Sequence, residues 1–252
     1  MPVVIQITDT HLFTDPHSHM NGVYPSASLQ SVIDTIQRGE AHIDLVLATG
    51  DLVHDDDAEN YQRLADRLKM LGAPVLYLPG NHDIPQALAK AVICAPVQNA
   101  IEARLHGWRF VLLDTTEPGK VGGHLSDEAL ESLRLSIETG PTMPTLIALH
   151  HHPVPVASRW MDTIKLDNSA DFFDIVGANP HVKGIIFGHV HQEFESHVGH
   201  IRVMGTPSTC MQFTPRSDAM AWDTRPPAYR RLTLHANGHI DSQVCFLESA
   251  HP

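Results

Sequence analysis

The chain is predicted to fold as an α/β protein around a parallel sheet, and three features carry that expectation. Short β-branched runs alternate with amphipathic helical patterns in the first third of the sequence. Five apolar runs each close on Asp, Asn or His, and residues 200–246 break into short stretches separated by Pro, Gly and Asn-Gly.

Residues 3–8 form the first strand. Leu29, Val32, Ile33 and Ile36 then recur at helical spacing, with Ser26 or Ser28 placed to cap the helix. Residues 44–49 make the second strand. The next helix carries Tyr61, Leu64, Leu68 and Leu71 on one face and stops at Gly72, with Pro74 beyond it. The acidic run Asp55-Asp56-Asp57 suits its positive N-terminus, and residues 75–78 supply the third strand. Two successive βαβ units imply right-handed crossovers, so the three strands are parallel and their C-termini share one edge. Ligands bind in the crevice outside that edge, where Asp9, Asp51 and Asn81 become neighbours.

Further on, residues 110–113 form a strand, and a helix begins near Ser126 with Asp127 and Glu128 in its first turn and Leu130, Leu133 and Ile137 as its stripe. A strand at 145–149, a helix around Phe172, Phe173, Ile175 and Val176, and a strand at 183–187 follow. Runs near 201–205, 229–235 and 240–246 are expected to be antiparallel and to complete a second sheet. No repeat or linker interrupts the sequence, so residues 1–252 are read as a single domain.

An apolar share of 42% with 18% charged residues belongs to a soluble globular protein. No run approaches the roughly 20 apolar residues of a membrane span. The chain starts Met1-Pro2 and enters a strand at once, without a signal-peptide pattern, so a cytoplasmic location is expected. Cys94, Cys210 and Cys245 are odd in number and widely spaced, which suits reduced core residues rather than a disulfide framework. A formal charge of −12 and the lack of a basic track argue against nucleic acid as a partner. A small anion remains a suitable substrate if metal ions create a local positive site.

The residues that end the strands supply such a site. They are Asp9 and His11, Asp51, Asn81-His82-Asp83, His150, and Gly188-His189-Val190-His191. Carboxylate, amide and imidazole without sulfur suit Fe, Mn, Zn or Co and argue against an all-oxygen Ca or Mg cage. With Asp51 as a bridge, Asp9, His11 and His191 are expected to hold one ion, and Asn81, His150 and His189 the other. Two ions about 3.5–4 Å apart would activate a bridging hydroxide and clamp phosphoryl oxygens, which makes a phosphoester the expected substrate. His82 is left free to address the substrate as phosphoryl stabiliser and general acid, with Asp83 expected to fix its tautomer. His151 and His152 are expected to pack or hydrogen-bond behind His150, while His17 and His19 read as loop residues.

Taken together, Asp9-x-His11, Gly50-Asp51, Gly80-Asn81-His82-Asp83, His150 and Gly188-His189-x-His191 resemble the complete calcineurin-like metallophosphoesterase signature. The stretches ITDTHLF, LHHHPVP, PHVKGIIFGHVHQE and TPSTCMQF extend the resemblance to the bacterial class III 3′,5′-cyclic AMP phosphodiesterases over nearly the whole chain. That resemblance implies a four-layer α/β/β/α sandwich, a di-metal centre with iron or manganese, and hydrolysis of cyclic AMP to 5′-AMP. It also implies that His11, Asp51, Asn81, His82 and His191 contact the phosphate, and that residues 208–213 lie near the site. The chain closes soon after Phe246-Leu247, so no oligomer or membrane contact built on a longer extension is carried over, and a monomer or homodimer is expected. The rival readings are a diesterase of the same fold acting on glycerophosphodiesters or 2′,3′-cyclic nucleotides, and a metal-free interaction scaffold.

Overall fold

A computed structural model describes residues 1–55, 58–91 and 100–248. The elements run β1 (Val3–Ile7), α1 (Pro25–Gly39), β2 (Leu45–Thr49), α2 (Ala58–Lys69), β3 (Val75–Leu78), α3 (Pro85–Ala91), β4 (Ala100–Leu105), β5 (Trp108–Leu113), α4 (Asp127–Thr139), β6 (Thr145–Leu149), α5 (Ser169–Gly177), β7 (Val182–Phe187), β8 (Phe194–Val198), β9 (Ile201–Gly205), β10 (Gln212–Phe213), β11 (Trp222–Asp223), β12 (Ala228–Leu234) and β13 (Ile240–Phe246). They build two mixed sheets, ordered β13-β12-β1-β2-β3 and β4-β5-β6-β7-β9-β8, and a small β10-β11 ribbon.

Strand periodicity explains why the sheets stack between helices. Because alternate side chains leave a strand on opposite faces, Ile5, Ile7, Val46 and Ala48 meet Leu29, Ile33, Tyr61 and Leu64 of α1 and α2. Val111, Leu113, Ile147 and Leu149 meet Leu133, Ile137, Phe172 and Ile175 of α4 and α5 on the far side. The residues between them, Val4, Leu45 and Leu47 from one sheet and Phe110, Leu112, Leu146 and Ala148 from the other, form the middle core. The order is helix, sheet, sheet, helix, the expected four layers.

The C-terminal strands are distributed differently from the sequence expectation. Only β9, within the 201–205 run, joins the second sheet, and it lies parallel to β7 rather than antiparallel. The chain descends as β8 and returns as β9; the more buried β9 takes the inner place and the alternately exposed β8 the edge. β12 and β13 complete the first sheet instead, β12 antiparallel to β1 with Val3 opposite Thr233. The side of β1 not taken by β2 was the open position.

At the helix ends, α4 begins at the expected place, and Ser126 caps it by accepting from Ala129 N at 3.1 Å. Neither Ser26 nor Ser28 caps α1, which starts at Pro25 after Tyr24. Ser26 accepts from Arg67, and Ser28 donates to the Thr209 carbonyl. Cys210 is buried and Cys245 packs against the first core, both as thiols; Cys94, Asp56 and Asp57 lie outside the described residues. Among the described residues, no helix is long and apolar enough to cross a membrane.

Candidate metal centre

β1, β2 and β3 of one sheet and β6 and β7 of the other deliver their C-termini to a common edge. Backbone bonds tie those ends together: Asp9 N to Gly50 O (2.9 Å), His11 N to Asp51 O (2.9 Å) and Gly188 N to His150 O (3.2 Å). Asp9, His11, Asp51, His189 and His191 all have positive φ, between 44° and 66°. L residues adopt that region at a cost, and its concentration at one edge is characteristic of side chains held for function. Gly80 and Gly188 permit the close approach, since a Cβ would strike Asp51 at the first and Thr8 and Asp9 at the second.

The polar side chains converge on Asp51. Its Oδ2 lies 3.4 Å from His150 Nε2 and 3.8 Å from His11 Nε2, so one carboxylate oxygen faces histidines from both sheets. On one side His191 Nε2 is 3.1 Å from Asp9 Oδ1 and 3.3 Å from His11 Nε2. On the other His150 Nε2 is 3.3 Å from Asn81 Oδ1, and the His150 and His189 rings are 5.0 Å apart. The structure thus gathers all seven expected ligand positions, with His189 and His191 on opposite sides of the turn at Val190.

Hydrogen bonds behind the site fix two of the imidazoles. His150 Nδ1 donates to Thr49 O at 2.9 Å and His191 Nδ1 to Met211 O at 2.8 Å. A carbonyl can only accept, so each Nδ1 carries the hydrogen and each Nε2 can present its lone pair inward, the usual arrangement behind a metal-binding histidine. Asp9 is steadied by Thr8 Oγ1 at 2.7 Å and by His189 N.

The donor set fits divalent ions. Asp9, His11 and His191 have ligand atoms within 4.8 Å of one another, as do Asp9, Asp51 and His150. His189 Nε2 is buried without a hydrogen-bond partner among the described residues, an expensive arrangement unless another group engages it. Without metal, the charges compensate one another. Burial opposes ionisation of Asp51, but His150 and His11 outweigh it and hold its carboxyl well below the usual range. Burial likewise lowers His150, yet Asp51 outweighs it and raises that imidazole to about 9. His11 is pushed down to about 3, chiefly by burial.

His82 is exposed; its backbone N donates to Asp51 Oδ1 at 2.9 Å. Its ring stands edge-on to His11 at 5.0 Å and stacks on His54 at 5.1 Å and 25°. The expectation that Asp83 fixes the tautomer of His82 is corrected. The Asp83 carboxylate turns inward and accepts from Leu52 N, Val53 N, Gly80 N and Tyr61 Oη, because the tight turn leaves those donors facing it. Burial, aided by Asp51, raises its carboxyl to about 7. Asp83 therefore shapes the loop that carries Asn81 and His82.

Sequence reasoning misses His54, which shares a cluster with His11 and His82. The signal available was its place three residues beyond Asp51, in the same strand-end loop. His151 lies beside His150 and His189, but Thr115 Oγ1 at 2.7 Å and Val121 O at 3.1 Å occupy its two nitrogens. His152 is buried behind them, its Nε2 at 3.7 Å from Asp162. His17 and His19 lie in the outer loop that follows β1.

Layered sheets with candidate metal ligands at the strand ends define a class, and the chain belongs to the calcineurin-like phosphoesterase family, whose profile matches residues 2–193. Within it, the chain is 43% identical over 250 residues to 3′,5′-cyclic adenosine monophosphate phosphodiesterase CpdA of Vibrio vulnificus, covering 98% of this chain and 90% of that protein. It is 37% identical over 242 residues to the Escherichia coli K12 protein of the same name, covering 96% and 88%. Among solved structures it is similar to a dimetal phosphatase from Danio rerio, with a TM-score of 0.69 at 14% identity over 97% of this chain and 98% of that one. Purple acid phosphatase PPD1 of yellow lupin gives 0.71 at 13% identity over 96% and 51%. At those identities the structural likeness is one of fold.

Proposed function

We propose that this chain is a metal-dependent phosphodiesterase that hydrolyses 3′,5′-cyclic AMP to 5′-AMP. The carrying observation is Asp51 Oδ2, a single buried oxygen within reach of histidines from two donor clusters. Asp9, His11, Asp51 and His191 would hold one ion, and Asp51, Asn81, His150 and His189 the other. Iron or manganese is the assigned pair, with zinc or cobalt as substitutes. Such ions would supply Lewis acidity to the phosphoryl group and acidify an attacking water. The choice of cyclic AMP is supported by the near full-length likeness to relatives that carry that activity in their names.

The chain's own residues then orient and protonate. His11, Asp51, Asn81, His82 and His191 surround the place where the phosphate is assigned. His82, exposed and stacked on His54, is assigned to the leaving side. As an oxygen from water, its proton released to solvent, joins phosphorus and the P–O3′ bond opens, His82 acts as general acid and gives a proton to O3′, to be replaced from solvent afterwards. The activity is assigned to the cytoplasm, in a monomer or homodimer. Steady-state kcat/KM values for 3′,5′-cyclic AMP, 2′,3′-cyclic AMP and glycerophosphoethanolamine test the assignment. The first should exceed the others; a glycerophosphodiester preferred by orders of magnitude overturns it.

A further inference from the structure

With the Asp83 carboxylate turned inward, the His82 ring lacks the partner expected to orient it. Its backbone is tied through His82 N to Asp51 Oδ1, but among the described residues no hydrogen bond reaches the ring. An exposed side chain on a turn is otherwise free to exchange rotamers. What meets the ring instead is a side chain from a different loop: His54 stacks on it with centroids 5.1 Å apart and planes at 25°.

His54 is itself fastened, because the loops that follow β1 and β2 run side by side past the ends of their strands. Leu12 N donates to Leu52 O at 3.2 Å and His54 N to Leu12 O at 2.8 Å. Asn60 Nδ2 of α2 donates to the same Leu12 carbonyl at 2.6 Å, and Asp55 Oδ2 accepts from Thr14 N at 2.9 Å. Phe13 packs on the His54 ring at 4.5 Å and 52°, and His11 approaches it at 5.9 Å and 61°. His54 Nδ1 is buried without a hydrogen-bond partner among the described residues, so this ring serves its neighbours through its faces rather than through that nitrogen.

Resting on the general-acid reading of His82 above, we propose that His54 is a positioning residue: its stacked ring holds the His82 imidazole in the orientation from which it protonates the leaving oxygen. A general acid works only within hydrogen-bond reach of the atom it protonates, and an imidazole that swings in solvent spends part of its time elsewhere. Misplacing a catalytic group by about 1 Å can cost on the order of a hundredfold. The demand for the proton depends on the leaving group. The ribose 3′-alkoxide of cyclic AMP needs it, whereas a p-nitrophenolate spreads its charge into the nitro group and departs without it.

The test measures kcat and KM of the metal-loaded wild type, His54→Ala and His54→Phe on cyclic AMP and on bis(p-nitrophenyl) phosphate. His54→Ala should lower kcat on cyclic AMP about tenfold or more with KM little changed, and the loss on the nitrophenyl ester should be several-fold smaller. His54→Phe keeps a ring to stack and should recover most of the loss. The losses from His54→Ala and His82→Ala should not add, as for two residues that act as a unit. Equal losses on both substrates, no loss, additive losses, or a Phe variant no better than Ala overturns the proposal. Should His54→Ala fail to hold its ions, His54→Gln, ringless but of similar reach, takes its place in the same comparison. If wild type does not hydrolyse cyclic AMP, the functional reading fails, and NMR relaxation of the His82 ring carbons, assigned by their absence in His82→Ala, decides the positioning separately. A His82 ring ordered in wild type and His54→Phe but mobile on the ps–ns timescale in His54→Ala supports it; equal mobility in all three overturns it.

Discussion

Thr49 O and Met211 O decide which nitrogen His150 and His191 turn toward the site, so two backbone carbonyls help orient the candidate metal ligands. His150 also carries a proton in the metal-free protein, since Asp51 overcomes burial and raises it to about 9. Metal binding must displace that proton, so apparent affinity should tighten with rising pH, about tenfold per unit, and level off near pH 9. Metal titrations of the apoprotein at pH 6, 7 and 8 check this, and a pH-independent affinity refutes it. The two neighbours at the tip of the β3 loop should separate by function. Asn81→Ala is expected to lose metal together with most activity. His82→Ala should retain both ions while kcat falls about 10²–10⁴-fold, as for loss of a general acid; metal analysis beside turnover distinguishes them. An Asp83 substitution, by contrast, should disturb loop stability, because its carboxylate gathers the Leu52, Val53 and Gly80 amides.

Among the elements, the β4-β5 hairpin presents a nearly buried cation to test. Arg109 is paired with the partly exposed Glu102 through Nε at 3.2 Å and also donates to Ser136 O at 2.9 Å. Burial tends to raise the Glu102 carboxyl, but Arg109 outweighs it and holds the group below 4.5. A depressed acid contributes stability above its unfolded value and loses it as pH falls through the folded one. Glu102→Gln should therefore cost about 1–3 kcal/mol at pH 7, discounted for exposure, with the gap to wild type narrowing below about pH 4.5. Urea unfolding at pH 7 and pH 4 measures both. This hairpin also shows where sequence reading stops. β1, β2 and β6 are fully or almost fully buried apolar runs, visible at once. β8 alternates half-buried and exposed residues in Phe-Glu-Ser-His-Val, a weak signal. The destination of β12 depended on a partner at the opposite end of the chain, which no local pattern encodes. The series of candidate ligands was legible because strand ends are local features, whereas the inward turn of Asp83 depends on where distant amides fall.

For the whole molecule, the candidate centre draws Asp9, Asp51 and Asn81 from one sheet and His150, His189 and His191 from the other. Ions held there would join the sheets, so metal should stabilise the fold as well as activate it. At a free metal concentration 100-fold above Kd the gain is about 2.7 kcal/mol. That corresponds to a Tm rise of roughly 5–10 °C in a chain of this size. Differential scanning calorimetry with and without a chelator measures the shift; an unchanged Tm despite bound metal excludes such joining. The pairing of β1 with β12 bears on the order in which the protein is made. At roughly 5–20 residues per second, the first strand waits on the order of ten seconds or longer for its neighbour to leave the ribosome. Until then β1 offers an unsatisfied edge to any passing strand. The newborn chain is thus most prone to mispairing just before its last hairpin emerges, and a translational pause there would lengthen the hazard.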